Sequence, residues 1–142
     1  MPTRAEMSRS AEYEGGHTEL MRAALDGQTE TVKTLLESGA DVNQRDDEGR
    51  TALMFAVANL QTNAAKALLE HGADVNVKAN DGSSALMLAA SSGESEIVRD
   101  LLSKGADVSG KFTQTGKTAL MVAQEKGFTD IVRLLKGREK AD

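Results

Sequence analysis

Cysteine and tryptophan are absent from this 142-residue chain, and proline and tyrosine occur once each. Without Cys there is no disulfide framework, no thiolate metal site and no Cys nucleophile. Aromatic residues make up only 3% of the chain, too few to line an aromatic pocket or build an aromatic sheet core. Positive charge is also short: 17 Lys and Arg face 22 Asp and Glu, a net charge of −5, which argues against an electrostatic grip on nucleic acid or an anionic membrane. The segment 1–10 has no apolar stretch of the kind a signal peptide carries, and nothing approaches the ~18 apolar residues of a membrane span. A soluble cytoplasmic protein of one domain is the expectation. The apolar material present, Ala, Leu, Val and Met, suits closely packed helices.

Against these absences stands a repeated phrase. Thr18-Glu-Leu-Met21, Thr51-Ala-Leu-Met54, Ser84-Ala-Leu-Met87 and Thr118-Ala-Leu-Met121 follow one another at steps of 33, 33 and 34 residues. Leu35-Leu36, Leu68-Leu69, Leu101-Leu102 and Leu135-Lys136 keep the same time, as do Gly39-Ala-Asp41-Val-Asn43, Gly72-Ala-Asp74-Val-Asn76 and Gly105-Ala-Asp107-Val-Ser109. Such a period marks a stack of repeats.

Within one unit the physics is local. Thr51 is a good N-cap, and Leu53, Met54, Ala56 and Val57 form a helical apolar stripe. A second helix is expected over about 62–70, with Ala65, Leu68 and Leu69 on one face and Gly72 as a left-handed stop. Turn formers such as Asn80-Asp81-Gly82 then lead to the next cap. Helices this short are not stable alone, so stacking must bury them. Gly27, Gly93 and Gly127 separate the two helices in three units, whereas the second unit has Leu60 there. A positive φ at Leu60 would cost roughly 1 kcal/mol or more, unless Asn59 takes up the turn.

These motifs together resemble ankyrin repeats: the period, the Thr-x-Leu-x-x-Ala opening, the Val-x-x-Leu-Leu helix and the Gly-Ala-Asp-Val-Asn link. The resemblance implies an all-α ankyrin-repeat solenoid of stacked antiparallel helix pairs with projecting loops or short β-turns. It covers residues 17–137, in repeats of approximately 17–45, 46–78, 79–111 and 112–137. The family's Thr-Pro-Leu-His opening is here Thr-Ala-Leu-Met or Ser-Ala-Leu-Met, which replaces a polar ladder by a Met column read as packing. Glu19 and Arg22 give the first unit a polar face, and Gln124, Glu125, Lys126 and Lys136 the last, as terminal caps require. Residues 1–16 read as a flexible leader, with a lone amphipathic turn over 7–13 as the structured alternative, and 138–142 as a charged tail.

Few constellations suggest chemistry. The stretch from Gly110 to Thr118 nearly spells a phosphate-binding loop, but five residues separate Gly110 from Gly116-Lys117-Thr118 where the motif needs four. His17 and His71 have no His or Cys at ligand spacing and read as exposed surface. Asp41, Asp74 and Asp107 recur once per unit, as turn-bonding residues do and paired catalytic acids do not. No catalytic residue, cofactor or metal is assigned, and the chain is read as no enzyme. The one-residue insertion between Asp107 and Gly116 brings in Phe112, either a contact tucked onto the stack or an exposed anchor for a partner.

The resemblance implies recognition of another protein through loop tips and the concave surface of the first helices. Carried onto this sequence, the loop-tip candidates are Arg45, Asp47, Glu48, Arg50, Lys78, Asn80, Asp81, Ser83, Lys111, Gln114, Thr115 and Lys117, with Phe112 beside them. The helix-surface candidates are Leu25, Asp26, Ala58, Asn59, Ser91, Ser92, Glu125 and Lys126. They run from acidic at Asp47 and Glu48 to more basic at Lys111, Lys117 and Lys126, a gradient that would orient a partner. The leading function is a non-enzymatic adaptor, inhibitor or protective partner of one protein, monomeric on its own and binding neither nucleic acid nor membrane. The alternative is a small-ligand-responsive or self-associating regulatory protein.

Overall fold

The computed structural model describes residues 12–141, and the side chains of 15–138. Two short strands, β1 (Glu12–Tyr13) and β2 (His17–Thr18), pair antiparallel around a 3-10 turn over Glu14–Gly16. Eight helices follow: α1 (Glu19–Asp26), α2 (Thr29–Glu37), α3 (Ala52–Ala58), α4 (Thr62–Glu70), α5 (Ala85–Ser92), α6 (Ser95–Ser103), α7 (Ala119–Lys126) and α8 (Thr129–Ala141). They fall into two compact units, one ending at Asp74 and the other beginning at Val75. In the first unit α1 packs on α3 and α2 on α4; in the second α5 packs on α7 and α6 on α8. Each helix also packs against its own hairpin mate.

The repeated phrase is a capping device. The hydroxyls of Thr18, Thr51, Ser84 and Thr118 accept from the backbone N–H of Met21, Met54, Met87 and Met121, at 3.2, 3.4, 3.3 and 3.2 Å. Each satisfies one of the orphan donors of the first turn, worth about 1 kcal/mol per helix. The second helices are built differently: Gln28, Gln61 and Glu94 stand at the N-cap without a side-chain bond, and Thr29, Thr62 and Ser95 occupy the first helical turn. At their C-terminal ends Gly39, Gly72 and Gly105 have positive φ, and the N–H groups of Ala40, Ala73 and Ala106 return to Leu35, Leu68 and Leu101, each at 3.0 Å.

Apolar periodicity delivers the core. Leu20, Leu53, Leu68, Leu86, Leu101, Ile131 and Leu135 are all buried, and Ala24, Ala56, Ala65 and Ala90 let the helices approach closely. Truncating such a Leu to Ala costs about 2–5 kcal/mol by lost burial and an unfilled cavity. Met21, Met54 and Met87 are core, as a packing column requires, while Met121 is 46% exposed.

The link phrase is a hydrogen-bond relay. In the first unit Asp41 Oδ1 accepts from Asn43 N–H at 2.9 Å, and Asn43 Oδ1 accepts from Asp74 N–H at 2.8 Å. In the second, Asn76 Oδ1 accepts from Asp107 N–H at 2.8 Å while Asn76 Nδ2 donates to Gly105 O at 3.2 Å. The recurring Asp and Asn residues thus tie one repeat's link to the next.

Three local expectations change. Leu60 itself takes the left-handed conformation with φ 62°, and Asn59, at φ −105°, does not relieve it. The leader read over 1–16 lies outside the described residues for 1–11, as does most of the amphipathic turn weighed over 7–13. Residues 12–16 are instead the hairpin arm, because Gly15 and Gly16 both have positive φ and fold the chain back on itself. At the other end α8 runs to Ala141, so the segment read as a tail from 138 continues the helix.

Candidate functional site

The surface of the first unit is organised by a residue the candidate set omits. Asp46, whose side chain is fully buried, accepts from Glu48 N–H at 2.9 Å, Arg50 N–H at 2.8 Å and Arg50 Nε at 2.9 Å. Burial alone would raise its carboxyl, but the backbone and side-chain hydrogen bonds from Arg50, its positive charge and the Glu48 N–H outweigh that and hold it below its ordinary value. The signal for this turn was in the sequence: Asp46 and Gly49 stand at the two ends of a four-residue turn, where those residue types are favoured. Arg50 continues outward, reaching Glu48 at 3.3 Å and lying 4.8 Å above the centre of the Phe55 ring.

His17 is corrected from exposed surface to a half-buried member of this cluster. Its Nε2 is 3.3 Å from Asp46 Oδ2 and 3.4 Å from Arg50 Nη2, and its ring meets Phe55 edge-on at 5.4 Å between centroids. Its partners lie about a full repeat away in sequence, so nothing near His17 announces them. His71 is exposed, with Nδ1 2.8 Å from Ala67 O.

Among the first-unit candidates, Asp47 binds the arm through its N–H to Gly15 O at 2.9 Å, and Arg45 Nε donates to Gly49 O at 3.2 Å. Asp47 and Glu48 are exposed, but Glu48 is paired with Arg50 and does not stand as an uncompensated acid. Leu25 is 40% exposed beside exposed Asp26, and both line a recess of about 250 Å³ with His17, Met21, Arg22 and Phe55. Ala58 is exposed, and Asn59 Nδ2 donates to Phe55 O at 2.8 Å.

In the second unit Lys78, Asn80 and Asp81 are exposed. Ser83 is corrected: it is buried, its N–H and Oγ both bonded to Asp81 Oδ1 at 3.0 and 2.6 Å, so it shapes the turn and presents nothing to a partner. Lys111 is exposed and bridges Thr118 through the backbone. Thr113 N–H donates to Asp81 O at 2.9 Å, Phe112 N–H to Lys117 O at 3.0 Å, and Gly116 N–H to Phe112 O at 2.8 Å. Gln114 and Thr115 stand exposed at the tip that these bonds close.

Beyond that tip, Phe112, Gln114, Thr115, Lys117 and Glu125 are brought together, with Asp81 and Val122, around a groove of about 280 Å³. Phe112 is half-buried, and Lys117 Nζ pairs with Glu125 at 2.8 Å. Lys126 Nζ donates to Ser91 O at 2.8 Å and Ser91 Oγ at 3.0 Å, and Ser92 is exposed. The basic end of the expected gradient is therefore partly compensated too. Asp107, outside the groove, is held below its ordinary value chiefly by the Ser109 hydroxyl and N–H, with Lys78 adding a smaller Coulombic pull.

Among the described residues no group of three or more His, Asp or Glu side chains is arranged to hold a metal ion, and no helix is long and apolar enough to cross a membrane. No curated protein matches the chain. The family model described as ankyrin repeats (3 copies) matches residues 20–112 and 75–142. The Gly-Ala-Asp links and all of the helix pairs and capped openings except the first opening's Thr18 and Glu19 lie within those matched spans, and this all-α chain belongs to the ankyrin repeat family.

Proposed function

We propose that this protein is a non-enzymatic adaptor, inhibitor or protective partner that binds one other protein through its loop tips and the concave surface of its first helices. Ankyrin repeats are generally protein–protein interaction modules, and the family is typically non-enzymatic. One observation carries the finer reading. Residues that recur in every unit are spent on caps, core and links, while those that differ, Phe112, Gln114, Thr115, Lys117 and Glu125, gather on a single groove in the second unit. A surface whose composition varies on an invariant frame suits recognition. A cytoplasmic protein that is monomeric alone, and touches neither nucleic acid nor membrane, belongs to the same proposal.

The test is affinity purification from the source cells, followed by reconstitution with the purified candidate. Support is a partner binding at 1:1 in calorimetry, weakened at least tenfold by Phe112→Ala and unaffected by Glu70→Ala on the second helix of its repeat. A melting shift produced by a small molecule, with no protein partner at stoichiometric yield, would overturn it.

A further inference from the structure

We infer that Met121 is a reversible oxidation site, which takes one oxygen atom from hydrogen peroxide and becomes methionine sulfoxide beside the Lys117–Glu125 ion pair. This chemistry is independent of the function proposed above. The repeated phrase ends on the same residue in every unit, and the amides of Met21, Met54, Met87 and Met121 are all held by the same kind of hydroxyl cap. Their surroundings divide them. Met21, Met54 and Met87 are 2%, 2% and 1% exposed, whereas Met121 is 46% exposed. Peroxide arrives through water, and the oxygen it adds turns an apolar thioether into a polar group, so exposure governs both access and tolerance. At the three buried positions that oxygen would enter the apolar core without a hydrating shell; at Met121 it is solvated.

In the step itself the sulfur lone pair attacks one peroxide oxygen and the O–O bond breaks. The hydroxide that leaves takes the proton of the transferred oxygen and departs as water. Sulfur is oxidised by two electrons and the peroxide is reduced by two. Methionine sulfoxide reductases restore the thioether, one enzyme per epimer. Position gives the modification a local consequence. Side chains on a helix lean back toward its N-terminus, and the equivalent sulfur of the first unit does so: Thr18 N–H donates to Met21 Sδ at 3.4 Å. An oxygen on the Met121 sulfur is therefore directed toward the start of α7, where Lys117 precedes the Thr118 cap. Glu125 stands one turn beyond Met121 on the same helix face, and Lys117 Nζ crosses that turn to reach it at 2.8 Å. An ammonium has three donors, so the sulfoxide offers Lys117 a second acceptor without expelling the carboxylate. Lys117 and Glu125 both line the Phe112 groove, whose rim becomes more polar on oxidation.

The experiment treats the full chain with millimolar hydrogen peroxide at neutral pH, quenches with catalase at intervals, and maps oxidation by mass spectrometry. Trypsin places the four methionines in separate peptides, 10–22, 51–66, 79–99 and 118–126, so three serve as internal controls for the fourth. Met1 and Met7 fall in other peptides and do not disturb the reading. The expected result is oxygen uptake in 118–126 about ten times faster, or more, than in any of the other three. In 8 M urea the four rates converge, and the two methionine sulfoxide reductases together restore the parent mass of 118–126. With ¹³C-labelled lysine, the Lys117 side-chain signals shift on oxidation. Met121→Leu, which keeps apolar bulk, abolishes that shift, and Met121→Gln, which carries an acceptor at similar reach, reproduces part of it without peroxide. Similar rates at all four sites in the folded chain, or Lys117 signals unmoved by full oxidation of Met121, would each overturn the inference.

Discussion

Replacing Asp46 by Ala removes the residue that organises the finger of the second repeat. Three hydrogen bonds of 2.8–2.9 Å converge on its carboxylate, two from backbone N–H groups and one from Arg50. Bonds to a charged group contribute about 1.5–3 kcal/mol each, so a simple sum would reach roughly 5–9 kcal/mol. That sum is too large. The two N–H groups belong to a surface turn that water can enter once the side chain is gone, and the Arg50 side chain, 36% exposed, rehydrates. The expected loss is about 2–3 kcal/mol, or a fall in Tm of roughly 6–12 °C for a domain of this size. Asp46→Asn, which keeps one acceptor and loses the charge, should lose about half as much. Urea denaturation followed by circular dichroism reads the total, and hydrogen exchange at the Glu48 and Arg50 amides reads the finger directly. An alanine variant within 0.5 kcal/mol of the parent, with both amides still protected, would refute the assignment of Asp46 as the finger's organiser.

Other expectations follow from the same geometry. Asp46 and Asp107 have folded pKa values below their unfolded ones, so their contribution is present above the ordinary carboxylate pKa of about 4 and is lost as pH falls through the lower folded values. Denaturation midpoints should therefore drop below about pH 4, and the drop should be shallower in Asp46→Asn. Gly82→Ala should cost at least about 2 kcal/mol in thermal melts, because φ is 83° and a Cβ would meet the Lys111 carbonyl oxygen at 2.5 Å. Leu60→Asn should stabilise by about 0.5 kcal/mol in the same assay, since Asn enters the left-handed region more cheaply and Leu60 is 59% exposed. Asn76→Ala strips the partners of Asp107 N–H and Gly105 O, and should cost about 1–2 kcal/mol with loss of exchange protection at Asp107.

What could be read from the sequence was what is local. Thr51 and Met54 are three residues apart, so cap and capped amide share one turn of chain, and the link glycines announce the backbone they must adopt. The anomaly of Leu60 was visible by comparison with Gly27, Gly93 and Gly127, although which residue would absorb the turn was not. Contacts made across a full repeat were invisible. His17 meets Arg50 from 33 positions away, and Lys126 reaches Ser91 from 35. Ser83 was misassigned because small polar residues at a turn serve equally as exposed tips and as internal braces. The reading of 1–16 as a flexible leader misses that Gly15 and Gly16 can make a tight return, as their positive φ shows. At the candidate site the residue types were legible, but the pairing of Glu48 with Arg50 and Lys117 with Glu125 depends on long side-chain rotamers that no local pattern encodes.

The backbone bonds at the last finger have a consequence for how this protein can be altered. The single inserted residue lies on the tip side of the Phe112–Lys117 closure, and Thr113 N–H still reaches Asp81 O at 2.9 Å. Length is thus absorbed beyond a clamp, and the helices on either side keep their register. Positions 114 and 115 behave as a cassette: residues can be exchanged or added there by design, or by natural insertion, to rewrite the recognition surface while the repeat beneath is left unchanged.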